Sequence, residues 1–308
     1  MVEIEGLQMG VVVPAMGAPT GDGGRLSLVD TARLVEEVGL DSAWVGDHLA
    51  TGAPSLDSAV ALATVVAVTS RVRAGVGVFV PGLRPLAWAA KQIASLRHLA
   101  GDRLVLGVGS GGSPEQWAAA GVPYDRRGAR LDTALRLLPD LLAGRPTTLP
   151  DEPGRPTVEL APAVPMPPVW VGNASPVAIR RAATLGDGWF PSLVHPDDVA
   201  AGAERLAALA ADAGRPTPTI AVGAVAALGT GPDIPSRASL AGSVAVAYER
   251  PLDDVLPIPL TGPPGEVAAA LAAYREAGAD HVVVGLAAPD WPAQLLLLRE
   301  AAALAVAL

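Results

Sequence analysis

The sequence predicts a single α/β domain, a (β/α)₈ TIM barrel with irregular insertions, over residues 1–308. Three observations lead to this fold class. Apolar segments of strand length alternate with segments of helical periodicity, and eight such strands occur along the chain. Several of these strands are continuous apolar runs, which is typical of a parallel sheet covered on both faces. The first strand is not followed by a GxGxxG motif, and this disfavours a dinucleotide-binding doubly wound sheet.

The predicted strands are short apolar runs that end at glycine, proline or polar residues. In chain order they cover Leu7 to Pro14, Ala43 to Gly46, Val72 to Val80, Leu104 to Val108, Val169 to Val171, a segment that contains Trp189, Thr219 to Ala227, and His281 to Gly285. Trp44, Trp170 and Trp189 fall within strands and are predicted to pack in the core.

The predicted helices lie between these strands, and apolar residues three and four positions apart support them. They cover 27–39, 56–69, 86–101, 128–143, 176–186, 196–213 and 265–277, with a last helix from about Pro292. Ser27 and Asp30 resemble a capping box, and Ser175 followed by Pro176 is typical of a helix start. A glycine-rich loop to Gly24 follows the first strand, and Trp117 is assigned to a loop.

Two stretches lack regular periodicity and are interpreted as insertions within the one domain. Residues 144–168 carry eight prolines, too many for a regular element. The second insertion covers about 228–263, with a short helix expected around Ser239 to Tyr248. Because the strand–helix alternation resumes after each of them, neither is read as a domain linker.

The composition limits the classes of function. The net charge of −9 and the absence of a basic stripe argue against a nucleic-acid or membrane partner. The sequence has no cysteine, which excludes disulfides, thiol catalysis and thiolate metal sites. The acidic start lacks a signal-peptide pattern, and no apolar run reaches transmembrane length, so a cytoplasmic protein is expected.

Functional residues are expected just after the strands, because TIM-barrel active sites form at the C-terminal ends of the strands. The qualifying positions are Asp47-His48, Gly77-Val78, the segment Gly107-Val108-Gly109-Ser110-Gly111-Gly112, the turn Gly172-Asn173-Ala174-Ser175, and Ser192 with His195. A buried carboxylate beside an imidazole can tune an acid–base group, but the same pair can also simply end a strand. Gly77, within the third predicted strand, indicates either a backbone bulge beside a ligand or tight packing of a helix on the strand.

The two turns after the fourth and fifth strands also have two interpretations. Glycine-rich segments let backbone amides approach a flat or anionic group, and the helix that starts at Pro176 adds its positive dipole end. Both segments can equally be ordinary βα turns. His195 is interpreted as a residue at the start of a helix. Arg126, Arg127 and Arg130 are interpreted as a solvated face, with contact to an anionic ligand as the alternative.

Chemistry that the sequence lacks narrows the field further. The single lysine, Lys91, falls within a predicted helix, so a Schiff-base aldolase is disfavoured. Four scattered histidines argue against a metallohydrolase centre, and no metal site is expected. No GxSxG elbow is present. The remaining pattern, rich in backbone donors and poor in catalytic side chains, suits an enzyme whose cofactor carries the reaction.

The chain resembles the bacterial luciferase-like superfamily of flavin- and deazaflavin-dependent oxidoreductases. The matching segments are EEVGLDSAWVGDHL (36–49), TSRVRAGVGVFV (69–80), AAKQIASLRHLAGDRLVLGVGSG (89–111), GVPYDRRGARLD (121–132), PPVWVGNASPVAIRRAATLGDGWFPS (167–192) and TGPPGEVAAALAAYREAGADHVVVG (261–285). They follow the order of the family and span nearly the whole chain.

The resemblance implies a TIM barrel that binds coenzyme F420 or FMN at its C-terminal mouth. Asp47 and His48 correspond to the active-site Asp-His pair of the deazaflavin branch, and Gly77-Val78 to a non-prolyl cis peptide against the flavin ring. The residues that correspond to the family's binding site for the phosphate tail are Gly109, Ser110, Gly111, Gly172, Asn173, Ala174, Ser175 and Ser192. The sequence departs from the sugar-phosphate dehydrogenase branch at Gly112 and over His48 to Gly52, so the substrate of that branch is not carried over.

The expected function is hydride transfer between F420 and a small organic substrate, with His48 supplying or accepting a proton. An FMN-dependent monooxygenase is the alternative, and it would need a flavin reductase as a partner. A non-catalytic flavin-binding barrel is a further alternative. Relatives in this family often form dimers, so a homodimer is also expected.

Overall fold

The computed structural model of the chain describes residues 6–14, 27–50 and 54–308. The strands are β1 (Gln8–Val12), β2 (Ser42–Val45), β3 (Arg73–Phe79), β4 (Leu104–Val108), β5 (Thr147–Thr148), β6 (Thr157–Val158), β7 (Val169–Gly172), β8 (Gly188–Phe190), β9 (Thr219–Leu228), β10 (Leu260–Gly262) and β11 (His281–Leu286). The helices are α1 (Leu28–Glu37), α2 (Ser58–Val68), α3 (Leu86–Ala100), α4 (Pro114–Ala119), α5 (Arg127–Leu142), α6 (Pro176–Leu185), α7 (Pro196–Asp212), α8 (Arg237–Ala247), α9 (Leu252–Val255), α10 (Pro264–Glu276) and α11 (Trp291–Val306).

Eight of these strands form a closed parallel barrel, which confirms the predicted TIM-barrel fold. The order around the barrel is β1, β2, β3, β4, β7, β8, β9 and β11, and β11 pairs with β1 to close it. Each strand of this set corresponds to one of the predicted strands. Because all strands run in the same direction, the loops after β2, β3, β4, β7 and β8 meet at one mouth.

Both predicted insertions contain secondary structure that the sequence pattern only partly indicated. The proline-rich stretch holds the short antiparallel pair β5–β6, which is too brief to show a periodicity. The second insertion holds the expected helix as α8, and in addition α9 and β10, which pairs with the end of β9. The expected glycine-rich loop to Gly24 lies largely outside the described residues, as do Thr51 and Gly52 of the loop after His48.

The assignment of Trp117 to a loop was wrong, because this residue lies in α4. The Ser113 side chain caps the helix by accepting a hydrogen bond from the amide of Gln116 at 3.3 Å, and Pro114 occupies the first turn. This is the same start signal that Ser175 and Pro176 carry. A helix of six residues is too short for its apolar period to be recognised.

Aromatic side chains pack in the core, as predicted for the three tryptophans. Trp44, Trp170 and Trp189 are each at most 3% exposed, and the Trp44 and Trp170 rings stack with centroids 5.3 Å apart. Glycine makes room for them: a Cβ on Gly75 would lie 2.4 Å from the Trp44 ring, and one on Gly188 would lie 2.3 Å from Trp170. Each buried ring of this size removes roughly 150–250 Å² from water.

A buried polar group closes the opposite end of the barrel. His281 is fully buried, and its Nε2 lies 2.8 Å from the Ser42 hydroxyl, which also accepts a hydrogen bond from the Trp44 indole at 2.7 Å. Arg73 approaches the His281 Nδ1 at 3.2 Å. A protonated imidazole would place a second positive charge beside the Arg73 guanidinium, so the neutral form is favoured. Burial, with the Arg73 charge adding to it, lowers the pKa of His281 from 6.5 to about 3.

Within the described ranges, none of the helices combines the length and the apolar character that a membrane crossing requires.

Candidate active site

A cleft of about 980 Å³ lies at the mouth of the barrel where the strands end. It is lined by the predicted active-site pair and by all the predicted cofactor-binding residues except Ser175: Asp47, His48, Gly77, Val78, Gly109, Ser110, Gly111, Gly172, Asn173, Ala174 and Ser192. These residues come from five different strand ends that the chain folds to one place. The volume lies at the upper end of the range usual for small-molecule sites.

Asp47 ties two strand ends together. Its buried carboxylate accepts hydrogen bonds from the Ser58 hydroxyl at 2.7 Å and from the Val80 amide at 2.9 Å. It also accepts two bonds from the Arg84 guanidinium at 2.9 and 2.8 Å. Among the described residues, none of the bonds of this carboxylate goes to the neighbouring imidazole. Asp47 therefore holds the ends of β2 and β3 together instead of orienting His48 by a direct hydrogen bond, as the sequence suggested it could.

His48 is the imidazole on the wall of the cleft. Its side chain is half-buried, and in the described part of the chain its ring nitrogens have no hydrogen-bond partner. Burial lowers the pKa of His48 below 6.5, and the charge of Asp47 opposes this shift. The ring is therefore largely neutral at pH 7 and can accept a proton.

The Gly77–Val78 peptide bond is cis, as the resemblance implied, and it lies on the floor of the cleft. The pairing of β3 with β4 shifts register between Val76 and Phe79, so this part of the strand bulges. The Gly77 backbone is exposed to the cleft, while the Val78 side chain is half-buried.

The bulge explains two of the predicted cofactor-binding glycines. A Cβ on Gly109 would lie 2.5 Å from Val78 Cγ2, and a Cβ on Gly172 would lie 2.8 Å from Val78 Cγ1. Both glycines are therefore required by close packing against Val78. Gly112 differs, since a Cβ there would have no atom within 4 Å.

The turn after β7 has the geometry of a helix-capping turn. Asn173 adopts φ 86°, and its side-chain oxygen accepts a hydrogen bond from the Ser175 amide at 2.8 Å. The Ser175 hydroxyl accepts one from the Ala178 amide at 3.3 Å and so caps α6. Ser175 is therefore a capping residue that supports the turn from outside the cleft. Asn173 and Ala174 are exposed there and line the cleft.

His195 is placed as the sequence predicted, at the start of a helix. Its Nδ1 accepts a hydrogen bond from the Asp197 amide at 3.3 Å and caps α7. The ring does not line the cleft, whereas Ser192 does.

The predicted solvated arginine face is only partly correct. Arg126 pairs with Asp151 at 3.4 Å, and Arg130 pairs with Glu152 at 3.4 Å. Arg127, by contrast, lines the cleft, with its guanidinium 4.0 Å over the Tyr124 ring. The sequence does not indicate which of these three neighbouring arginines points into the cleft.

Sequence reasoning also missed cleft residues on the far wall. Arg205 of α7 and Arg250 of the second insertion line the cleft, and Arg250 donates a hydrogen bond to the Leu193 carbonyl at 2.6 Å. Together with Arg127 they give the cleft three arginines that have no carboxylate partner among the described residues. Asp198 is the one unpaired carboxylate among the described lining residues. A positive cleft in a chain of net charge −9 favours an anionic ligand.

Comparison with known proteins gives one family and a consistent fold. Residues 8–241 match the family model of the luciferase-like monooxygenases. An uncharacterised protein of Mycobacterium tuberculosis is 35% identical over 169 residues, 54% of this chain and 58% of that protein. An F420-dependent glucose-6-phosphate dehydrogenase of Kineococcus radiotolerans is 36% identical over 176 residues, 53% of this chain and 51% of the enzyme. The chain thus spans little more than half the length of these curated relatives.

Solved structures share the fold along nearly the whole chain. An F420-dependent secondary alcohol dehydrogenase in complex with an F420–acetone adduct has a TM-score of 0.80 at 18% identity, covering 97% of this chain and 99% of that one. A type II Baeyer–Villiger monooxygenase from Pseudomonas putida in complex with FMN has a TM-score of 0.72 at 17% identity, covering 96% of this chain and 97% of that one.

Proposed function

The chain belongs to the luciferase-like monooxygenase family, and from this premise we propose that it is an oxidoreductase that uses coenzyme F420 for hydride transfer to or from a small organic substrate. The observation that carries the proposal is the half-buried imidazole of His48, which has no hydrogen-bond partner among the described residues, in the same cleft as the Gly77–Val78 bulge. This pair combines a proton-transfer group with a surface against which a planar ring can lie.

The residues of the cleft fit such a cofactor. The exposed Gly77 backbone on the cleft floor leaves a surface without a side chain, which suits a flat ring. The amides of Asn173 and Ala174, the start of α6, Ser110, Ser192 and Arg127 form a donor set for a phosphate. When bound, the deazaflavin ring would supply the carbon that accepts or gives the hydride.

His48 would exchange the proton that accompanies the hydride. Its lowered pKa keeps the imidazole neutral at pH 7, so it can take the hydroxyl proton when an alcohol is oxidised. In the reverse direction the imidazolium would return that proton to the carbonyl oxygen. Asp47 is not a candidate base, because its oxygens already accept bonds from Ser58, Val80 and Arg84.

The preference for F420 over FMN rests on the relatives. Two F420-dependent glucose-6-phosphate dehydrogenases are 35% and 36% identical to about half of this chain. The donor set for a phosphate would serve FMN equally well, and the fold is shared with FMN-dependent monooxygenases. The FMN alternative would require a reductase as a partner. The experiment must therefore distinguish FMN from F420 as the cofactor.

The test is a fluorescence titration of the purified apoprotein with F420 and, separately, with FMN, followed by turnover assays with the His48→Ala and His48→Gln variants. We expect tight binding of F420, weaker binding of FMN, and a loss of turnover of about 10²- to 10⁴-fold in both variants with little change in F420 affinity. Preferred binding of FMN would favour the monooxygenase alternative. Full turnover by both variants would remove His48 from the mechanism, and binding without any turnover would favour a non-catalytic barrel.

A further inference from the structure

Trp117 presents a buried hydrogen-bond donor for which the described part of the chain provides no acceptor. The side chain is 1% exposed, and its Nε1 has no hydrogen-bond partner among the described residues. The N–H of an indole can only donate, and a buried donor left unpaired destabilises the folded state. By contrast, the Nε1 of Trp44 donates to Ser42 at 2.7 Å, and that of Trp189 donates to the Asn173 carbonyl at 2.9 Å.

The unpaired N–H faces the glycine turn at the edge of the cleft. Outside the turn itself, the atom nearest to a Cβ on Gly111 would be Trp117 Nε1, at 3.1 Å. The far edge of the Trp117 ring packs on Gly82. Gly111 and Trp117 both line the cleft. Gly111 thus lies directly beside the donor atom. Gly112 beside it has no atom within 4 Å of its Cβ position, so that side of the turn is open.

The surroundings favour an anion as the missing acceptor. Tyr124 donates its hydroxyl to the Gly112 carbonyl at 3.0 Å, and its ring meets the Trp117 ring edge-on with centroids 6.5 Å apart. The guanidinium of Arg127 lies 4.0 Å over the Tyr124 ring and has no carboxylate partner in the described chain. Tyr124 therefore joins the glycine turn, the indole and a positive charge into one group.

The same helix is tied to the loop that carries the proposed proton-transfer group. Gln116, the neighbour of Trp117 in α4, accepts a hydrogen bond through its side-chain oxygen from the Leu49 amide at 2.8 Å. A ligand that moves the glycine turn or α4 would therefore also displace the loop next to His48.

We propose that Trp117 is a ligand-recognition residue whose indole N–H donates to an anionic oxygen of the bound ligand, with Arg127 as the neighbouring charge. The acceptor is a phosphate or carboxylate oxygen, and binding shifts the Gly111–Gly112 turn enough to uncover the donor. The inference rests on the proposed function, since the oxygen belongs either to the phosphate of the cofactor or to an anionic substrate.

The decisive variant is Trp117→Phe, which keeps an aromatic ring in the cluster with Val80 and Leu83 but removes the N–H together with part of the buried indole. The lost packing should lower the urea midpoint of the apoprotein whether or not Trp117 binds a ligand. A purely structural tryptophan leaves ligand binding unchanged, whereas our proposal predicts that affinity for the anionic ligand falls on the order of 10-fold. Trp189→Phe is the matched control for stability, since it removes the same part of an indole together with a paired N–H and should lower the urea midpoint more than Trp117→Phe does.

Paired ligands identify the source of the oxygen. F420, FMN and riboflavin, which is FMN without its phosphate, are titrated into the wild-type protein and the variant. Weaker binding of F420 or FMN with unchanged riboflavin binding assigns the oxygen to the cofactor phosphate. Unchanged binding of all three, with weaker binding of inorganic phosphate to the F420-loaded protein, assigns it to the substrate. Unchanged binding of every probe would overturn the proposal.

A second measurement does not require the Trp117 variant to fold. In wild-type protein labelled with ¹⁵N-tryptophan, the Trp117 indole signal can be assigned by elimination with phenylalanine variants of the other tryptophans. We expect it to shift downfield when inorganic phosphate or FMN is added. A signal that stays in place at saturation with both would also overturn the proposal. Failure of the wild-type protein to bind either cofactor would instead count against the proposed function, and the phosphate titration would still test Trp117.

Discussion

Asp47 makes the strongest polar contacts in the candidate site, and replacing it with asparagine tests whether they hold the site together. The Asp47 side chain is 4% exposed and that of Arg84 is 19% exposed, so the pair is largely shielded from water. Asp47→Asn removes the negative charge that pairs with Arg84. It also replaces one carboxylate oxygen by an NH₂ group, which cannot accept the hydrogen bond from Val80 or Ser58. The substitution therefore breaks an ion pair and, with it, at least one further hydrogen bond.

The expected magnitude follows from the burial of the pair. Removing one partner of a buried ion pair destabilises a protein by roughly 3–5 kcal/mol. Because Arg84 keeps some contact with solvent, we expect the lower end, about 3 kcal/mol. The matched control is Asp140→Asn, which breaks the exposed pair of Asp140 with Arg145, whose side chains are 49% and 59% exposed. Exposed pairs contribute about 0–1 kcal/mol.

Urea unfolding of both variants measures the two free energies. A double-mutant cycle with Arg84→Met should show that the costs of Asp47→Asn and Arg84→Met are not additive, because both remove the same pair. An NMR titration adds a functional readout: the charge of Asp47 raises the pKa of His48, so the variant should titrate at lower pH than the wild-type protein. If Asp47→Asn cost no more than Asp140→Asn, or if the cycle were additive, the buried tie between β2 and β3 would not contribute to stability as argued.

Two further predictions concern buried contacts elsewhere in the fold. The pKa of His281 is lowered from 6.5 to about 3 in the folded state, so the unfolded chain binds the proton first as the pH falls. The stability is therefore complete above pH 6.5 and should fall by up to about 1.4 kcal/mol per pH unit below it. The lowered pKa of His48 adds to the pH dependence of stability in the same direction. Urea unfolding of the wild-type protein and of His281→Asn over the same pH range therefore isolates the contribution of His281. If both proteins lost stability equally with falling pH, the proposed role of His281 would be contradicted. Gly109→Ala should destabilise the protein by roughly 1–3 kcal/mol, because the new methyl group would lie 2.5 Å from Val78. Gly112→Ala, with no atom within 4 Å, is the control and should change stability by less than about 0.5 kcal/mol; equal effects would refute the packing argument.

The sequence alone was sufficient for the fold because the fold depends on local patterns. Continuous apolar runs such as Leu104 to Val108 are typical of strands covered on both faces, and the structure has β4 over the same residues. The cap at Ser175 followed by Pro176 was also readable, since a capping bond joins residues three positions apart. The positions of site residues at strand ends follow from the same alternation once a barrel is assumed.

The roles of individual site residues depended on contacts between segments far apart in sequence, and only the tertiary structure decided them. Asp47 adjoins His48 in sequence, yet its carboxylate binds Arg84, which lies 37 positions away. Gly109 and Gly172 looked like ligand-binding glycines, and the structure shows both packed against Val78. In each case the sequence specifies the residue type, whereas its partner is chosen by how the closed barrel brings separate strand ends together.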